Sequence, residues 1–173
     1  MTIEIRKGGA EEISAFASLL ENVHREMSHP EWFYVDPPEV FRELYDSGKM
    51  EYWLALDGQT VAAAFDLLIP GLDPCNYGYA LDFSREQLLQ VVNMDSVAVH
   101  PDYRGQGLQR RLLREAEDWL GREENRILLC TVHPENRYSL ENALAQGYTI
   151  EKKISIYGSV RYLLRKYIRK KEK

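Results

Sequence analysis

Hydrophobic positions recur along the chain with two spacings, and the switches between them outline the elements. Ile3 and Ile5 alternate with Glu4 and Arg6, which predicts an opening strand. Ile13, Phe16, Ala17, Leu20 and Val23 recur at helical spacing and predict a helix over about 10–24. Pro38 and Gly48 bracket a second, shorter helix. Glu51–Leu56 reads as a strand, and Asp57-Gly58 turns it into the apolar run Thr60–Ile69 as a hairpin. Gly, Pro, Asn and Asp crowd residues 70–83, which read as a loop. Ser84 and Gln87 have the form of a capping box that opens a short helix to about Gln90. Val91–Val99 is the next strand. The helix over about 107–120 follows, with Leu108, Leu112, Ala116 and Trp119 or Leu120 as its core face and Gly121 as its stop. Ile127–Val132 reads as a buried strand and Asn136–Gln146 as a helix ended by Gly147. Tyr148–Ile156 and Val160–Tyr167 close the order as two strands.

A β-hairpin combined with β-α-β units predicts an α/β chain of α+β character, its mixed sheet flanked by helices. Val91–Val99, its helix and Ile127–Val132 should form a parallel unit. No composition break marks a linker, so residues 1–173 are expected to form one domain. No apolar run reaches the ~20 residues that span a bilayer. Nor does an apolar segment follow the first residues, so a cytoplasmic protein is expected.

Net charge is −5, unevenly spread: residues 161–173 carry +6, which leaves −11 on the rest. An acidic body argues against nucleic acid as a partner and suits a cationic substrate. The basic end, Arg169-Lys170-Lys171-Glu172-Lys173, is expected to be a solvated, frayed terminus. Cys75 and Cys130 share no metal-like spacing with the histidines, so no metal site is expected. Within its apolar run Cys130 reads as a buried small residue.

Candidate chemistry sits in Arg104-Gly105-Gln106-Gly107, between an apolar strand and an amphipathic helix. Two glycines in three residues permit a tight turn and close approach of backbone to a ligand. The helix start adds unpaired N–H groups and the positive end of a dipole, together an anion site suited to phosphate. Neither the third glycine of a dinucleotide fingerprint nor the Gly-Lys-Ser/Thr of a P-loop is present.

The wider segment Val97-Ala98-Val99-His100-Pro101-Asp102-Tyr103-Arg104-Gly105-Gln106-Gly107-Leu108 resembles the pyrophosphate-binding motif of GNAT acetyltransferases. Downstream, Asn136, Ser139, Gly147 and Tyr148 are similar to that superfamily's Asn-x-x-Ala…Gly-Phe segment. The resemblance implies a GNAT-like fold: a mostly antiparallel sheet with one parallel pair at the cofactor site. It implies acetyl-CoA as co-substrate. Val97, Ala98 and Val99 would pair with the pantetheine arm. Arg104, Gly105, Gln106, Gly107, Leu108, Gln109 and Arg110 would surround the pyrophosphate, with Arg111 a phosphate contact or a solvated helix charge. Asn136 and Ser139 would line the same groove. Asp102 and Gln109 depart from residues usual in the family, which backbone binding tolerates. Ala143 stands where many relatives carry the Tyr that protonates the departing thiolate, and neither Tyr138 nor Tyr148 replaces it by position.

An amine acceptor must lose a proton before it attacks, and Asp95 is the only carboxylate on Val91–Val99, so it is nominated as the base. Alternation places it on one face with Asn93, Val97 and Val99. Relatives often carry a catalytic carboxylate on this strand. Acceptor specificity is expected from the variable first helices and the 70–83 loop. There His24–Tyr34 and Asn76-Tyr77-Gly78-Tyr79 are aromatic-rich, either as pocket walls or as core. The acceptor reads as a small-molecule amine. A protein N-terminus or lysine, and a non-catalytic acyl-CoA sensor, are the alternatives. The closing strands could pair across an axis in a homodimer.

Overall fold

The computed structural model describes residues 2–171. Its elements are β1 (Glu4–Lys7), α1 (Ile13–Glu26), α2 (Pro38–Asp46), β2 (Met50–Asp57), β3 (Thr60–Leu68) and α3 (Arg85–Gln90). These are followed by β4 (Val91–Val99), α4 (Leu108–Leu120), β5 (Arg126–Val132), α5 (Arg137–Ala145), β6 (Thr149–Ile156) and β7 (Ser159–Ile168). Short 3₁₀ turns lie at Pro30–Trp32, Tyr77–Leu81 and Pro101–Tyr103. The strands form a seven-stranded mixed sheet in the order β1-β2-β3-β4-β5-β7-β6. β4 runs parallel to β5 with Val91, Val92 and Asn93 opposite Ile127, Leu128 and Leu129. β1 against β2, β5 against β7 and β6 against β7 are antiparallel.

The chain divides into two compact units, Met1–Leu67 with Asp95–Glu117, and Leu68–Met94 with Asp118–Lys173. In the first, Phe16 of α1 meets Phe41 of α2 edge-on at 5.2 Å and Tyr52 of β2 at 4.9 Å. Phe16 is fully buried. We therefore expect Phe16→Ala to cost about 3–5 kcal/mol, read as a lowered urea midpoint at unchanged slope. α1 starts at Ile13, later than its apolar spacing predicts. The cause is Glu12, whose carboxylate binds the Arg6 guanidinium at 2.6 and 2.9 Å and accepts the Gly9 N–H at 3.2 Å. These contacts hold residues 10–12 in a turn instead of a first helical turn.

In the second unit, Val91, Ile127, Leu129 and Leu163 form a buried cluster that Tyr77 joins. The 70–83 loop is more ordered than its composition suggests. The Asn76 amide donates to Gly71 O at 2.7 Å and Leu88 O at 3.0 Å and accepts the Gly78 N–H at 2.7 Å. That buried side chain draws Tyr77 inward, where its hydroxyl lies 2.6 Å from that of Tyr157. Tyr77 is therefore core and not a pocket wall. Tyr79 is exposed and donates to Leu72 O at 2.9 Å. Ser84 and Gln87 make both bonds of the capping box.

Two expectations are corrected here. Cys130 is half-buried, because the fully buried stretch of β5 ends at Leu129. The basic end is exposed over 169–171, as expected, but up to Lys171 it is held in place and not frayed. Lys170 N–H donates to Asn125 Oδ1 at 2.8 Å, Lys171 N–H to Gly121 O at 2.7 Å, and Lys171 Nζ pairs with Asp118 at 2.7 Å. Glu172 and Lys173 lie outside the described residues. No helix among the described residues is long and apolar enough to cross a membrane.

Candidate active site

β4 carries the first group of candidate residues. Ala98 is buried while Asp95, Val97 and Val99 are half-buried, the alternation expected of a strand with one covered face. β4 pairs with Ile127, Leu128 and Leu129 of β5 through Val91, Val92 and Asn93, upstream of the Val97–Val99 backbone. Past Val99 the chain is tied down by polar groups. His100 N–H donates to Ala62 O at 2.9 Å, and His100 Nδ1 accepts the Asp102 N–H at 3.2 Å. Tyr103 donates its hydroxyl to Asp57 Oδ2 at 2.8 Å. His100 is thus a turn residue.

Gly105 and Gly107 follow with φ of +78° and +68°, the left-handed region that L side chains resist. A Cβ built at either would meet nothing within 4 Å, so backbone conformation and not crowding selects glycine here. The space beside the turn is open. α4 then begins at Leu108, which is itself buried and pins the helix start. Its earliest helical bond is Arg111 N–H to Gly107 O at 3.1 Å. The N–H groups before Arg111 belong to the first turn, which has no acceptors within its own helix. Arg104 and Arg110 are exposed beside them. Arg111 instead donates to Ile3 O at 3.2 Å. This turn presents backbone N–H groups at the positive end of a 13-residue helix, a chemistry suited to an anion. Acetyl-CoA's pyrophosphate fits its chemistry.

The same unit holds a group of carboxyls that only partly follows from sequence. Asp66 of β3 is completely buried, and its Oδ1 accepts the Ser96 N–H at 3.1 Å. Its Oδ2 has no hydrogen-bond partner among the described residues. Burial, then the charge of Asp95, hold this carboxyl well above the usual carboxylate range, with a smaller push from Asp36. Asp36, in the segment before α2, is raised by burial against a lowering hydrogen bond from the Tyr34 hydroxyl. Tyr34 is raised in turn, first by the Asp36 charge and in small part by Asp95. Asp36, Asp66 and Tyr34 thus share an electrostatic environment with the nominated base. Tyr34 lies in the aromatic segment expected near the acceptor. The sequence pattern by itself nominates neither Asp36 nor Asp66. For Asp66 the sign was present: one carboxylate inside the otherwise apolar run Val61–Ile69.

Asn136 and Ser139 belong to the second unit. Asn136 is the N-cap of α5, its Oδ1 accepting the Ser139 N–H at 3.2 Å, so its Nδ2 is the group left to donate to a ligand. Ala143 is buried on α5 and offers no proton. Tyr138 is 66% exposed, while Tyr148 is buried with Lys166 Nζ 5.6 Å over its ring. Among the described residues no group of three or more His, Cys, Asp or Glu is arranged to hold a metal ion.

A family model described as the Acetyltransferase (GNAT) family matches residues 22–148. That range spans the phosphate turn, the carboxyl group and the α5 segment, and the chain belongs to this family of acyltransferases. Solved structures show the same fold. NAA60 of Arabidopsis thaliana, in complex with a bisubstrate analogue, is 16% identical with a TM-score of 0.72, over 98% of this chain and 100% of that one. YncA, a putative acetyltransferase from Salmonella typhimurium with its cofactor acetyl-CoA, is 14% identical with a TM-score of 0.68, over 100% and 96%. A phosphinothricin acetyltransferase from Sinorhizobium meliloti in complex with acetyl-CoA is 14% identical with a TM-score of 0.69, over 97% and 89%. Among the curated proteins compared, none matches the chain.

Proposed function

We propose that the protein is an acetyl-CoA-dependent N-acetyltransferase that acetylates the primary amine of a small cationic molecule, with the chain acting as one catalytic domain. The observation that carries this reading is the turn at Gly105 and Gly107, preceded on β4 by a carboxylate set among other carboxyls. Backbone N–H groups over Gly105–Arg110 bind the pyrophosphate, with Gln106, Leu108 and Gln109 contributing main chain and Arg104 and Arg110 adding charge. The Val97, Ala98 and Val99 backbone pairs with the pantetheine arm, and an N–H of this stretch faces the thioester oxygen as charge develops. The Asn136 Nδ2 and the Ser139 hydroxyl supply further hydrogen bonds to the donor.

An alkylamine with a pKa near ~10 arrives as the ammonium at pH 7. The charges of Asp95 and Asp36 favour that cation. Asp95 takes one proton, the neutral nitrogen attacks the acetyl carbon, the C–N bond forms, the C–S bond breaks, and the second proton of the nitrogen passes to the departing sulfur or to water. The electron pair leaves on sulfur. A thiol near pKa ~8.5 is a good enough leaving group that the hydroxyl missing at Ala143 slows departure without preventing it.

The test is a thiol-release screen with acetyl-CoA against small amines, diamines and peptides. Release with small amines and not with peptides is the expected result. Turnover confined to peptides makes the protein a protein acetyltransferase. Binding with no transfer to any acceptor makes it the sensor that Ala143 suggests.

A further inference from the structure

We propose that Asp66 is a positioning residue for the base: it fixes the peptide that follows Asp95 and holds a proton beside it, so that the pair enters the reaction with one negative charge, on Asp95. This rests on the reading that Asp95 takes the acceptor's proton.

The anchor is geometric. The Ser96 N–H belongs to the peptide unit joining Asp95 to Ser96, and it donates to Asp66 Oδ1 at 3.1 Å. A main-chain amide of β4 is therefore gripped by a side chain of β3, immediately after the residue that must be aimed. The proton follows from the other oxygen. Oδ2 belongs to a side chain with no exposure and has no hydrogen-bond donor among the described residues. An ionised oxygen needs donors, whereas a hydroxyl loses far less by burial. The groups that act on it are Asp95 from β4 and Asp36 from the segment before α2, with Ser96 donating from β4. Tyr34 binds Asp36. Burial first, then the Asp95 charge, disfavour a negative charge at Asp66, with a smaller push from Asp36, while the Ser96 amide and, less, its hydroxyl favour that charge.

The proton inventory is simple. Asp66 Oδ2 keeps its proton throughout. Asp95 accepts the proton from the acceptor nitrogen and later returns it to water.

A stability consequence has a definite sign. The folded state binds a proton at Asp66 that the unfolded chain, with an ordinary aspartate near ~3.9, has lost. Between that unfolded value and the raised pKa of Asp66 in the fold, the folded state binds more protons, so stability falls as pH rises through that window. Asp66→Asn should flatten this slope.

Three variants and one spectrum test the proposal. Asp66→Asn keeps a neutral group with an acceptor for Ser96, so kcat should stay within about threefold of wild type with the same acidic limb of its pH profile. Asp66→Leu removes the acceptor, so kcat should fall at least about tenfold while the KM for acetyl-CoA is unchanged. Infrared spectroscopy at neutral pH should show the carbonyl stretch of a protonated carboxylic acid in the wild type. The band should persist in Asp95→Asn and vanish in Asp66→Asn. No such band in the wild type overturns the proton assignment whether or not the protein turns over. A kcat loss in Asp66→Asn as large as in Asp66→Leu overturns it as well. A band of the expected origin together with full activity in Asp95→Asn leaves Asp66 protonated but removes the base it was to position.

Discussion

Gly107→Glu is expected to weaken acetyl-CoA binding at least about 100-fold in titration calorimetry, a loss of about 2.7 kcal/mol. Two effects add. The φ of +68° at Gly107 lies where an L residue is strained by about 1–2 kcal/mol. The new carboxylate would also stand at the start of α4, in the space proposed for the pyrophosphate. A negative charge at a helix N-terminus stabilises the helix itself. The variant should therefore fold and fail specifically in binding. Gly107→Ala separates the effects: a Cβ there meets no neighbour within 4 Å, so only the backbone strain remains. Its affinity should drop about tenfold. Wild-type affinity in Gly107→Glu would move the phosphates elsewhere.

The second large effect is at Asp95. Asp95→Asn should lower kcat at least tenfold, toward the roughly 10²–10⁴-fold that general-base help supplies, with acetyl-CoA affinity nearly unchanged. The amide keeps the shape of the carboxylate and loses its basicity. A pH profile distinguishes this from a structural lesion. As pH rises toward the amine's pKa near ~10, the acceptor deprotonates unaided, and the gap between variant and wild type should narrow. A gap that stays constant with pH would show that Asp95 serves some purpose other than proton removal. Equal turnover would take it out of the mechanism.

Much of the architecture was legible because it rests on local rules. The Asp57-Gly58 hairpin, the Ser84–Gln87 capping box and the apolar face of α4 each lie within a few residues of chain, and each is present as read. The turn from β4 through Gly105 and Gly107 into α4 was legible for the same reason, since its strand, glycines and helix are consecutive. What escaped depends on partners distant in sequence. Asp66 meets Ser96 thirty positions on, and nothing in the sequence of either declares the bond. Asn76 looks like loop punctuation until its amide is found on Leu88 O, and that one side chain turns Tyr77 from a pocket candidate into core. Glu12 resembles a first-turn helix residue, yet its bond to Arg6 delays α1. The basic end was read from charge alone, while Asn125 and Asp118 hold it in place. Among the long-range features, only Asp66 leaves a sign in the sequence, a lone carboxylate in an apolar strand, and the reading of the pattern passes over it.

The most direct measurement follows one reaction from both ends, counting free coenzyme A thiol and acetylated amine in the same mixture of protein, acetyl-CoA and a small primary amine. Acyl transfer directed by this site predicts equal amounts of the two, abolished by Gly107→Glu and strongly slowed by Asp95→Asn. Thiol released by hydrolysis alone, with no acetylated amine across small amines, diamines and peptides, would contradict it.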